Sequence, residues 1–171
     1  MLALKVGFLA TPHWRPTQAL LFRGKNIQWL PRSNVIRLSH SNSTPPLPLF
    51  TAAFRQAESQ VEPSPLAVVD VDGSWTYGNL RRDVESVRRR LTNTHGGDLQ
   101  EARVAFLCPN SYAYVVTQWA IWAAGGIAVP LSPLHPPAEL DYFIQDSQAD
   151  TLVYHPALKD RVQGLTHETV G

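Results

Sequence analysis

Between Arg103 and Glu139 the sequence contains no Asp, Glu, Lys or Arg. A charge-free run of that length has to leave water, into either a protein core or a bilayer. Tyr112 to Leu131 alone matches the ~20 residues a membrane helix needs. Gly125-Gly126, Pro130 and the polar pair Thr117-Gln118 interrupt it, however, and strands buried on both faces of a parallel sheet are just as continuously apolar. The run therefore predicts a buried strand at Arg103–Leu107 and a turn at Pro109-Asn110-Ser111. A buried helix from about Tyr112 to Ala124 follows, stopped by Gly125-Gly126, and then a second strand, Ile127–Leu131.

The flanking segments extend this alternation. Leu49, Phe50, Ala53, Phe54 and Ala57 recur at helical spacing, and Pro63 and Pro65 close that helix off. Leu66–Val71 reads as a strand, turned by Asp72-Gly73 into Ser74-Trp75-Thr76. Tyr77, Leu80, Val84, Val87 and Leu91 then step by three and four, one apolar stripe on a helix capped by Thr76 and ended by Gly96-Gly97. Beyond Ser132–Pro137 a helix carries Leu140, Phe143 and Ile144, followed by strand Thr151–Tyr154. Strands alternating with helices predict an α/β fold built on a βαβαβ-type parallel sheet segment, with right-handed crossovers.

Charge divides the chain differently. Residues 1–57 hold seven Lys or Arg and no acid, whereas residues 58–171 hold all fourteen acids against eight bases. The early bases lie roughly eight residues apart among Leu, Phe, Trp and Ile, a spacing that suits a targeting peptide better than a nucleic-acid arm. Residues 1–43 are expected to be a disordered mitochondrial presequence directing the protein to the matrix, residues 44–48 a Pro-rich linker, and residues 49–171 the folded part. An untranslated region misread as coding, or a disordered basic tail, is the alternative for the leader. Cys108 stands alone, so the chain by itself forms no internal disulfide and no CxxC site.

Recognisable catalytic apparatus is missing from the pattern. The six histidines never fall at i, i+2 or i, i+4, so no metal-ligand spacing emerges. There is no G-x-S-x-G nucleophile elbow and no G-x-G-x-x-G after a strand. The lysines are Lys5, Lys25 and Lys159, none behind a glycine-rich loop. Asp70, Asp72, Asp141 and Asp146 are explained by turns and solvated helix faces. Arg81, Arg82, Arg88, Arg89 and Arg90 flank the long helical stripe and are read as a solvated face rather than an anion patch.

Three stretches nonetheless resemble one family in order and spacing: Leu66 to Leu80 with its Asp-Gly-Ser-Trp-Thr-Tyr, Arg103 to Ser111 with Cys-Pro-Asn-Ser, and Trp122 to Leu131 with Gly-Gly-Ile-Ala-Val-Pro. They look like the N-terminal part of the AMP-forming acyl-CoA synthetases, and Pro137 to Ser147 continues the likeness. Tyr112 to Trp122, with Leu134-His135-Pro136, is most similar to the mitochondrial malonyl-CoA synthetase-like branch. In the family's Thr-Tyr-x-Glu-Leu pattern this chain has Asn79 in place of Glu, which implies a weaker capping-box partner.

The resemblance implies an ATP-dependent ligase joining a carboxylic acid such as malonate or methylmalonate to CoA, with ATP, Mg²⁺ and CoA used by the complete enzyme. The family's phosphate loop, adenine- and ribose-binding groups and C-terminal lysine normally lie beyond the position of Gly171. The chain is accordingly expected to be an incomplete N-terminal portion, inactive alone, binding no cofactor, with no catalytic, cofactor-binding or metal residue assignable. No nucleic-acid partner and no membrane span are expected. Truncation is expected to expose part of the Tyr112–Ala124 helix and a sheet edge through which the chain could self-associate. A short noncatalytic partner-binding protein and a peptide-synthetase adenylation segment are the other two candidates.

Overall fold

Leu80, Val84, Val87 and Leu91 all become buried, as the stripe at their spacing requires. At about 1.5–3 kcal/mol per fully buried apolar side chain, those four contribute more to fixing this helix than its propensity does. The structure, a computed structural model, describes residues 20–23, 47–58, 64–163 and 165. The remaining parts of the expected presequence and linker, and the last residues of the chain, lie outside them.

The elements follow in the expected order. Helix α1 spans Pro48–Ala57, strands β2 (Leu66–Asp70) and β3 (Gly73–Thr76) form a hairpin, and α2 spans Tyr77–His95. Strand β4 (Arg103–Leu107), helix α3 (Tyr112–Ala123), strand β5 (Ile127–Leu131), helix α4 (Pro137–Asp146) and strand β6 (Thr151–Tyr154) come next. A 3-10 turn, Pro156–Leu158, and a short helix α5, Lys159–Val162, follow. Strand β4 pairs in parallel with both β5 and β6, so it is central, with Val104 to Leu107 fully buried. Leu20–Arg23 form strand β1, antiparallel to β6, giving the order β1-β6-β4-β5. Sequence places these four residues within an unstructured leader; the open main-chain groups along β6 supply a pairing that local sequence does not announce.

The two faces of the sheet carry separate apolar clusters. Val104, Phe106, Cys108 and Val153 pack with α2 and α3, whereas Ala105, Leu107, Leu152 and Tyr154 pack with α4. Alternating side chains along β4 divide it between them. Connections leaving β4 and β5 thus run to opposite faces, as right-handed crossovers in opposite directions require.

The expected exposure of the α3 helix does not occur. Each of its residues is buried or half-buried, because α1 and α2 close over it, with the Phe50 ring edge-on to Trp119 at 5.5 Å. Among the described residues no strand pairs with the outer side of β5, which leaves an open edge. Ile127 N–H is turned inward to Ala102 O, so alternation points Ala128 and Pro130 outward, and Pro130 has no hydrogen to donate. That proline blunts the edge.

No helix among the described residues is long and apolar enough to cross a membrane. The Thr76 cap is a complete capping box. Thr76 Oγ1 accepts from Asn79 N at 3.2 Å, and Asn79 Oδ1 accepts from Thr76 N at 3.0 Å. Asn79 therefore performs the reciprocal contact that a Glu makes in the usual box.

Candidate functional site at the carboxyl edge of the sheet

In open α/β sheets, ligands settle outside the carboxyl ends of strands where successive connections diverge to opposite faces. Here that place lies between β4 and β5, and a cavity of about 500 Å³ occupies it. Pro109 and Asn110 of the β4–α3 loop and Tyr114 of α3 form one wall. Pro130 and Leu131 of β5 and Ser132, Pro133 and Leu134 of the β5–α4 loop form the other. Tyr114 is steadied edge-on by Phe106, with ring centres 5.0 Å apart. The lining offers an amide, hydroxyls and apolar surface and carries no formal charge, so it suits a neutral part of a ligand.

The first wall is held from behind by the hairpin. Ser111 occupies the cap position of α3 with extended backbone but makes no side-chain cap. The Asp70 carboxylate caps the helix in its place. Its Oδ2 accepts from Tyr112 N at 2.7 Å, while Oδ1 accepts from Asp72 N at 2.8 Å and Gly73 N at 3.2 Å. A negative charge at a helix N-terminus is favourable. Sequence assigns Asp70 to its turn alone.

Tyr112 is the second fixing point. Its ring stacks on Trp75 at 4.4 Å and 4°, and its hydroxyl donates to Asp83 Oδ2 at 2.8 Å. Burial pushes the phenol far above its ordinary range, and the Asp83 carboxylate, by hydrogen bond and by charge, adds to the effect.

Cys108, between β4 and the cavity loop, is buried. Burial pushes its thiol up to about 11, against the opposing hydrogen bonds from Thr117 and from the His155 backbone. A thiol so disposed stays protonated and unreactive. His155 follows β6; its Nδ1 accepts from Ala157 N at 3.3 Å, and burial lowers its pKa while the Asp72 charge opposes that. Among the described residues no three His, Cys, Asp or Glu side chains gather closely enough to hold a metal ion.

The arginines of α2 line no part of the cavity. Arg88 makes two 2.8 Å hydrogen bonds to Glu85; the hydrogen bond lowers the Glu85 pKa and raises that of Arg88. Arg81 binds Glu58 at 2.7 Å and lies 5.5 Å over the Phe54 ring. Arg82 and Arg89 are exposed, within 3.6 Å of Asp83 and Glu85 respectively. Among the other acids, Asp141 and Asp146 lie on α4 and Asp72 in the hairpin turn. Sequence reasoning missed the cavity itself, although the strand order implied by two divergent crossovers is a signal that could have located it.

Comparison with known proteins fits this architecture. The AMP-binding enzyme family model matches residues 54–170. A mitochondrial malonate-CoA ligase of Mus musculus is 43% identical over 103 residues, covering 58% of this chain and 18% of the relative. The corresponding Homo sapiens ligase is 43% identical over 109 residues, covering 62% and 18%. The chain thus spans about a fifth of the length of these relatives. The ATP-bound crystal structure of MatB from Rhodopseudomonas palustris superimposes with a TM-score of 0.56 at 26% identity, covering 71% of this chain and 23% of that one. With its parallel sheet, its motifs in order and a family match across most of its length, the chain belongs to the AMP-binding enzyme family, whose members here include acyl-CoA ligases.

Proposed function

We propose that this chain is the N-terminal portion of an ATP-dependent, AMP-forming acyl-CoA synthetase that acts on malonate or methylmalonate when complete. The observation that carries this reading is the 43% identity to mitochondrial malonate-CoA ligases over 103 and 109 residues. In such a reaction a carboxylate oxygen attacks the α-phosphorus of ATP and diphosphate leaves. The CoA sulfur then attacks the acyl carbonyl, and AMP departs with the electron pair of the broken C–O bond.

The chain's own contribution is a scaffold. Its sheet edge supplies a neutral, partly apolar cavity between β4 and β5, backed by Asp70 and Tyr112. Triphosphate needs oriented donors and cations around it, and the cavity lining holds no cationic side chain. In this reading ATP, Mg²⁺ and CoA are engaged by the complete enzyme.

Residues 1–43 act as a mitochondrial presequence in this reading, residues 44–48 as a linker and residues 49–171 as the start of the synthetase domain. Support comes from the acid-free basic leader and from the relatives' mitochondrial names. Loss of the leader would also remove β1 from the sheet, so self-association would occur at the β6 edge as well as at the open β5 edge.

The decisive experiment sequences the full transcript and assays both products with malonate, ATP, Mg²⁺ and CoA. A longer product should release diphosphate and form malonyl-CoA, and the 171-residue chain should do neither. Diphosphate release by the short chain, or a longer product inert toward malonate, would overturn the assignment. Fusing residues 1–60 to a fluorescent reporter should give mitochondrial fluorescence with loss of the leader. Cytosolic fluorescence at full mass would refute the targeting.

A further inference from the structure

The Ser132–Pro136 loop walls the cavity but has little means of holding its own shape. Pro133 and Pro136 carry no amide hydrogen. Leu134 N donates to Ser132 Oγ and His135 N to Ser132 O, both at 3.2 Å and both within the loop. Leu134 is 89% exposed. The His135 ring lies tilted 5.2 Å from Phe143, and its Nδ1 is enclosed with no hydrogen-bond partner among the described residues. A turn that shuts in an unpartnered nitrogen needs compensation from outside.

That compensation comes from α5. Arg161 Nη2 donates to Pro133 O and to His135 O, the latter at 3.1 Å. Leu158, Val162 and Leu165 pack against the α4-side cluster and so fix the short helix that carries Arg161. Both bonds come from one nitrogen, Nη2, whose two hydrogens are fixed in the guanidinium plane and so set the carbonyls' separation through charge-assisted bonds; a lysine ammonium rotates freely. One strand further along the chain, past β6, the sequence thus returns to brace the loop after β5.

We propose that Arg161 is a positioning residue for the cavity: from outside the lining, it holds the β5–α4 loop in the conformation that forms the cavity wall. The proposal rests on the reading of this cavity as part of a ligase site. Its test has two arms. In the 171-residue chain, Arg161→Met should accelerate amide hydrogen exchange at Leu134 and His135 by about tenfold, with β4 amides unchanged, the signature of local rather than global opening. Arg161→Lys should fall between.

In the longer ligase, Arg161→Met should raise KM for at least one of malonate, ATP and CoA several-fold at nearly constant kcat. Unchanged exchange at Leu134 and His135, or acceleration extending through β4, would overturn the clamp. A loosened loop with unaltered KM would overturn its positioning role. If the wild-type longer protein fails to ligate malonate, the function assignment falls, and the exchange arm still decides whether Arg161 holds the loop.

Discussion

The Asp70 carboxylate and the Tyr112 backbone amide, 42 positions apart in sequence, meet at 2.7 Å. One side chain thereby caps helix α3 and, through its other oxygen, ties the turn of the β2–β3 hairpin. The hairpin is consequently locked to the helix whose first residues back the cavity, and the Trp75–Tyr112 stack seals the same joint.

Asp70→Ala should destabilise the chain by about 1–2 kcal/mol, the usual cost of a lost N-cap. Asp70→Asn should recover part of that, because its single carbonyl can serve one of the two functions. Urea midpoints of the three proteins provide the check, and an unchanged midpoint for Asp70→Ala would show that the hairpin is held by its apolar contacts alone.

Tyr112→Phe keeps the stack on Trp75 and removes the hydroxyl that donates to Asp83. A loss of about 1 kcal/mol is expected, against about 3–5 kcal/mol for Tyr112→Ala, which empties a buried site. Because the folded-state phenol pKa is raised, its stabilisation is complete below the unfolded value, about 10, and is lost as pH climbs above it. Tyrosinate absorbance followed through alkaline unfolding should show a component that ionises only as the fold is lost, to which buried Tyr154, its pKa also raised by burial, contributes, and that component should shrink in Tyr112→Phe.

Alanine at two glycines should act with opposite sign. Gly125 has φ +78°, and a Cβ there would stand 2.6 Å from both Asp98 carboxylate oxygens; Gly125→Ala should cost about 1–2 kcal/mol or more. Gly78 lies in the first turn of α2, where a Cβ would meet only Thr76 Oγ1 at 3.6 Å. Gly78→Ala should stabilise by about 0.4–1 kcal/mol. Thermal melts of the pair test both; equal shifts would remove the conformational argument.

His155 is held with its pKa lowered, first by burial and against the Asp72 charge. The folded state thus resists protonation more than the unfolded chain does. The resulting stabilisation is fully present above the unfolded value, about 6.5, and is lost as pH falls below it through the folded value. His155→Asn preserves an acceptor for Ala157 N–H and removes the titration, so stability between neutral pH and about pH 5 should fall less steeply. An identical slope in wild type and variant would assign the acid sensitivity elsewhere.

The uncharged run from Val104 to Ala138, the apolar stripe ending at Leu91 and the Gly and Pro stops were sufficient to determine the strands and helices from α1 to β6, but not β1 or the short α5. Those signals are local: a period, a cap, a residue that cannot continue a helix. The family resemblance was equally legible, because it resides in short ordered motifs. The tertiary structure alone decided what Asp70 caps, that Tyr112 joins Trp75 to Asp83, and that Arg161 braces the loop after β5. Each of these joins residues whose sequence separation leaves no period to read. The cavity likewise exists only because two crossovers diverge at β4 and β5, and its walls come from segments that meet when the strands are already paired.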